Sequence, residues 1–284
     1  MEASTSVPTA SPSLNLELLS IVSCVSERKS RSCKNIMNFY ECKLKLSCEK
    51  MVDFDSLKVN GIDIEEYFMD HGWEKYFKLL NGPIYPLLVT KFWMNAKVVD
   101  EKEAKEKEKR KVADNPSLKG KSRVEMGLKE FRETEIRSTL LGLDFVITQA
   151  HIAKLLEIED KGEIMSHYKN NSVHLEAIRD ELFEDKSQLG KAKAMFEKYI
   201  MIFKILLTSF FPRESSPDQI SWEHKNFIYF LFKRTKINLA SCLFDHLCDA
   251  IRASASNLAW AAHPRLKFWH VSTLMLSTML QHCN

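Results

Sequence analysis

Glycine is scarce in this chain, with eight residues among 284, and that scarcity excludes chemistry before any motif is sought. Neither G-x-x-x-x-G-K-[ST] nor G-x-G-x-x-G occurs, so no loop of bare amides is available to cradle a phosphate or a dinucleotide. The G-x-S-x-G turn that exposes a serine nucleophile is missing too, as is any thiol-protease cysteine signature. No sign of charge dominates: 41 basic and 38 acidic residues leave a net charge of +3. Attraction of a polyanion to the whole surface is thereby excluded, and only a local basic patch remains open. Long apolar runs are also lacking. The most apolar stretch, Tyr199 to Phe211, is broken by Lys204 and is shorter than the ~20 residues that span a bilayer. The N-terminus has no basic segment, and its first apolar stretch is interrupted by Asn15 and Glu17, so neither a secretory leader nor a membrane span is expected.

Cysteine is present but not in a metal-binding pattern. Cys33, Cys42 and Cys48 are separated by eight and five residues, without the close C-x2-C pairing of structural zinc sites, and no histidine pair follows at usable spacing. An odd total of seven favours reduced thiols in an intracellular compartment, nuclear or cytoplasmic. Cys242, Asp245 and Asp249 share one helix face by the three-and-four rule and read as a buried thiol beside solvated carboxylates. His246 and Cys248 point to different faces, and His263, His270, His282 and Cys283 are scattered. No metal or other cofactor is expected.

What is present suffices for a core: 45% hydrophobic residues, 10% of all residues being aromatic, exclude disorder of the whole chain. The pattern predicts a mainly α, multi-helix globular domain with one small β-hairpin and a disordered N-terminal tail. Residues 1–60 read as a poorly ordered N-terminal region. Residues 61–99 read as a helical segment packing on the main body: Ile64, Tyr67 and Phe68, then Trp73, Tyr76, Phe77 and Leu80, recur every three or four positions around a break at Gly72. Pro86 suits a first helical turn, and a helix is expected over 87–98. Residues 124–284 read as a helical domain carrying the hairpin at about 131–148, where Gly142 supplies the positive φ of a tight turn. Thr148 is placed to cap a helix over 149–156. Further helices are expected over 173–183, 190–211, from Trp222 to Phe232, 239–251 and 266–281. The hairpin cannot stand alone, since two strands are marginal without helices to pack on.

Between these regions, residues 100–123 carry charges of both signs at nearly every early position and no aromatic side chain, and they read as a solvated charged linker. Its basic residues Lys109, Arg110, Lys111, Lys119, Lys121 and Arg123 are the candidate polyanion contacts, diluted by the intervening glutamates. Metal-assisted phosphoryl transfer would need clustered carboxylates on strand ends. Asp144 is the one carboxylate on an expected strand, and it reads as an ordinary hairpin residue.

Four segments in a fixed order carry a family resemblance: LNGPIYPLLVTKFWMNA at 80–96, LLGLDFVITQAHIAKLLEI at 140–158, the apolar helix ending in FFPR at 210–213, and KINLASCLFDHLCDAI at 236–251. Their order resembles the plant transposon protein domain family, also labelled envelope-like in Athila-type long-terminal-repeat retrotransposons, over roughly 70–282. The resemblance implies a retroelement origin and supplies no catalytic residues. With the motif absences it leads to a non-enzymatic, helical protein-interaction module whose partner is another protein or a second copy. The alternative is a nucleic-acid-binding accessory protein of a retrotransposon, using the segment 97–123.

Overall fold

Three short helices open the described chain and build one aromatic cluster. Asp53 caps α1 (Phe54–Val59), its carboxylate accepting from the Ser56 amide at 2.8 Å. The turn at Gly72 (φ +73) separates α2 (Glu65–Met69) from α3 (Glu74–Leu79). Phe54 lies edge-on to Phe77 at 5.1 Å and near Phe68 at 5.7 Å, so residues 54–59 are an ordered helix and not part of a poorly ordered region. The computed structural model describes residues 49–82, 85–140, 142–169, 171–211 and 218–256. The expected N-terminal tail and the expected helix over 266–281 lie outside them.

Pro86 begins α4 (Pro86–Asn95), its fixed φ being suited to a first turn. The chain then enters β1 (Lys97–Val99), which pairs antiparallel with β2 (Glu135–Leu140), and β2 pairs antiparallel with β3 (Leu143–Ile147). The expected hairpin is thus two strands of a three-stranded sheet ordered β1-β2-β3. The third strand comes from the end of the segment read as helix, where β-branched Val98 and Val99 favour the pleat. Gly142 turns the hairpin at φ +83. Ile136, Leu140, Phe145 and Ile147 are buried, and α4 is tied to β2 by Ser138 Oγ donating to the Phe92 carbonyl at 2.7 Å.

The stretch read as a charged linker is a helix, α5 (Glu101–Asp114). Asp100 caps it, accepting from the Glu103 amide at 2.9 Å. Glu101–Lys105, Glu103–Lys107 and Glu106–Arg110 are four-residue ion pairs at 2.5, 2.6 and 3.2 Å, with glutamate on the N-terminal side as the helix dipole prefers. Each pair is worth only a few tenths of a kcal/mol. Docking comes from buried Ala104 and from Arg123, which donates to the Ala104 carbonyl at 3.0 Å and to Glu108 at 2.5 Å.

The remaining helices are α6 (Gln149–Leu156), α7 (Ser172–Leu182), α8 (Glu197–Ile205, continued by a π turn over Leu206–Phe210), α9 (Trp222–Phe232) and α10 (Leu239–Ser256). Thr148 stands at the N-cap of α6 as expected, its amide donating to His151 Nδ1 at 3.1 Å. Helix α8 starts at Glu197 and not near Gly190, because the preceding residues bond outward: the Ala192 amide donates to Asp218 O at 2.7 Å and the Phe196 amide to Leu182 O at 3.1 Å. Tyr199, Ile202, Phe203, Leu206 and Phe210 on α8 and its π turn are buried, which makes this helix the axis of the core. Phe210 meets the rings of Tyr76 at 4.7 Å and Phe227 at 5.7 Å, joining α3 to α9. All described residues belong to one compact unit, Leu44–Asn284. Among them no helix is long and apolar enough to cross a membrane.

Candidate functional site

The site is a cleft between the start of α9 and the middle of α10. Ser221 caps α9, its hydroxyl accepting from the His224 amide at 3.4 Å and lying 2.5 Å from His224 Nδ1. That cap sets Trp222 and Glu223 in the first turn. Across from them, Cys242, Asp245, His246 and Asp249 follow the three-and-four spacing of α10. A 3-10 turn (Met165–Tyr168), Lys169 after it and Phe211 at the end of the π turn close the sides. The cleft encloses about 290 Å3.

Its floor is aromatic. Phe211 packs edge-on to Phe227 at 5.4 Å and to His224 at 5.8 Å, and lies 5.4 Å from the His246 ring. Both Phe211 and Phe227 are buried, while Trp222 is half-buried. Lys169 places its Nζ over the Trp222 ring, 5.8 Å from the centroid.

The two described cysteines, Cys242 and Cys248, are buried. Burial, reinforced by Asp245, raises the Cys242 thiol well above its ordinary value, and burial pushes Cys248 up to about 12. Both are protonated near neutrality, and the thiolate is the reactive form. The carboxylates differ from one another. Asp249 is exposed and pairs with Arg252 at 3.4 Å, and Arg252 also reaches Asp100 at 3.2 Å. Asp245 is exposed at the cleft mouth, with the cleft walls partly desolvating its carboxyl. Burial, with Asp249 one turn on, raises its carboxyl above the ordinary 3.8.

A raised carboxyl binds its proton more readily folded than unfolded, so ionised Asp245 costs stability above its folded value and the cost fades as pH falls towards the unfolded one. Asp245→Asn is therefore expected to raise the melting temperature near neutrality by roughly 1–2 °C, the scale of one like-charge pair. Melting curves recorded near neutrality and at about pH 3.5 should show the gain shrinking on acidification. A loss of stability, or a gain indifferent to pH, would contradict this placement.

Of the six sequence-predicted basic residues, two are already paired. Arg123 is committed to Ala104 and Glu108, and Arg110 to Glu106. Lys109, Lys111, Lys119 and Lys121 are exposed and form no ion pair among the described residues. Lys109 and Lys111, two apart on a helix, diverge. Asp144 on β3 pairs with Lys129 and accepts from Thr139 Oγ1 at 3.0 Å, which is the hairpin role expected of it. Among the described residues no group of three or more His, Cys, Asp or Glu could hold a metal ion.

Sequence reasoning found the face bearing Cys242, Asp245 and Asp249 but missed the cleft. Trp222 reads as core by its spacing, and Lys169 and Phe211 arrive from segments whose sequence carries no signal of the meeting. Exposed large apolar side chains elsewhere among the described residues include Val59 on α1, Val173 on α7 and Phe196 just before α8. No protein-family model, curated protein or solved structure matches the chain.

Proposed function

We propose that this chain is a non-enzymatic, helical protein-interaction module of plant-retroelement origin, and that the α9–α10 cleft is where it binds. The observation that carries the reading is the cleft's composition. It has an aromatic floor, a charged mouth and a single buried thiol, Cys242, whose burial holds it in the protonated form, an arrangement suited to holding a side chain and not to attacking one. The retroelement origin is supported by the order of the four sequence segments alone.

A peptide-display selection on the immobilised full chain tests it. Enriched sequences should be retained by the wild type and lost by Trp222→Ala, while the melting curve of that variant shows it folded. Enrichment of nothing, or retention indifferent to Trp222, would sink the proposal.

A second reading, nucleic-acid binding through the 97–123 segment, keeps only the exposed Lys109, Lys111, Lys119 and Lys121 in its favour. It requires an affinity that falls steeply with salt. Absence of DNA and RNA binding at low salt would remove it.

A further inference from the structure

We infer that the α9–α10 cleft docks an arginine or lysine side chain carried on a segment of a partner protein, the cation lying against Trp222 and facing Asp245. This rests on the reading of the chain as an interaction module and adds the chemistry of what is bound.

Three observations lead to it. The floor formed by Phe211, Phe227 and Trp222 suits the methylene stem of a long basic side chain, which buries its carbons while its head stays at the polar mouth. The mouth carries more carboxylate than cation. Glu223, Asp245 and Asp249 line it against Lys169, and although Arg252 takes the outer side of Asp249, Asp245 forms no ion pair among the described residues. An acidic segment would be repelled there, and an apolar one would leave Asp245 with only the Ser241 hydroxyl and the fields of Arg252 and His167 to offset its charge.

The third observation is Lys169 itself. Its ammonium already stands over the indole, so the ring face is one that accepts a cation. The Lys169 side chain is exposed, and nothing buried has to move for it to leave. An incoming guanidinium is planar, less strongly hydrated and better at stacking, and it takes Lys169's place over the ring while Asp245 supplies the counter-charge.

The test is a fluorescence-polarisation titration of the full chain with short labelled peptides that differ only in a central Arg, Lys, norleucine or Glu. Arg and Lys peptides should bind about tenfold more tightly than the other two. Asp245→Asn should abolish that preference, whereas Glu130→Gln, the same charge change outside the cleft, should not. Lys169→Ala should tighten the Arg peptide by about threefold, because the competing cation is gone.

Peptides that all bind alike, with binding still dependent on Trp222, would overturn this inference and leave the interaction module standing. Binding of no peptide, together with an empty display selection, would remove the module reading itself. Spermidine competing as well as the Arg peptide would overturn a protein segment as the occupant. Self-association abolished by Asp245→Asn would give the cleft to a second copy, with the same consequence.

Discussion

Phe210→Ala is expected to lower the stability of the fold by about 3–5 kcal/mol, the range for deleting a buried aromatic ring. The ring is fully buried and stands within 6 Å of five others: Phe68 at 5.9 Å, Trp73 at 5.5 Å, Tyr76 at 4.7 Å, Phe77 at 5.5 Å and Phe227 at 5.7 Å. These rings come from α2, α3, α9 and the turn before α3. A void among rigid rings held by separate elements cannot collapse easily, so the cavity cost adds to the lost transfer energy. The π turn that delivers Phe210 also presents the Ser209 carbonyl to Tyr76 Oη at 2.5 Å, a bond that the enlarged cavity would loosen. Urea unfolding should show a lowered midpoint at unchanged slope, and Phe210→Leu should lose clearly less. A loss below about 1 kcal/mol, the ordinary cost of a substitution, would mean that α2 and α3 do not pack on α8 and α9 as described.

Gly162→Ala is expected to cost roughly 2–4 kcal/mol, combining backbone strain with a direct clash. Gly162 holds φ +116, and a Cβ there would stand 2.6 Å from the Lys236 carbonyl oxygen and 2.9 Å from the Ile237 carbonyl carbon. Both are backbone atoms in a two-bond bridge, Glu163 N to Lys236 O at 2.8 Å and Asn238 N to Glu163 O at 3.1 Å, so relief requires the segments to part. Asn238 is also the residue whose side chain accepts from the Ser241 amide at 2.9 Å and donates to Asp160 at 2.9 Å. Loosening the bridge therefore loosens the start of α10, and with it one wall of the cleft. Gly120→Ala is the control: it shares a left-handed φ of +83 but has nothing within 4 Å of the new methyl, and should cost only about 1–2 kcal/mol. Equal melting temperatures for the two variants would contradict the close approach at residue 236.

Much of the helical body was legible because its signals are local. Thr148 before Ile152 and Leu156, the apolar face over 173–183 and the apolar spacing from Trp222 to Phe232 all lie within a few residues of what they organise. The hairpin was legible through Gly142 for the same reason. Strand β1 was not, since Val98 and Val99 become a strand only by meeting residues 135 and 136, far along the chain. Helix α5 was misread because charge density says that a segment is solvated, while its ladder of Glu-to-Lys pairs, visible in hindsight, says that it can still be helical. The misplaced start of α8 has a non-local cause too, in the bonds from residues 192 and 196 to residues 218 and 182. At the cleft, the Cys242, Asp245 and Asp249 face followed from periodicity. Its opposition to Trp222 and Lys169 is a product of tertiary packing and has no sequence signature.

The central claim, that binding belongs to the α9–α10 cleft and not to the charged helix α5, is tested most directly by hydrogen exchange of the full chain with and without an Arg-bearing peptide. Added protection should be confined to residues 165–169, 222–227 and 242–249. Protection appearing over 101–123 with the cleft unchanged would contradict the account.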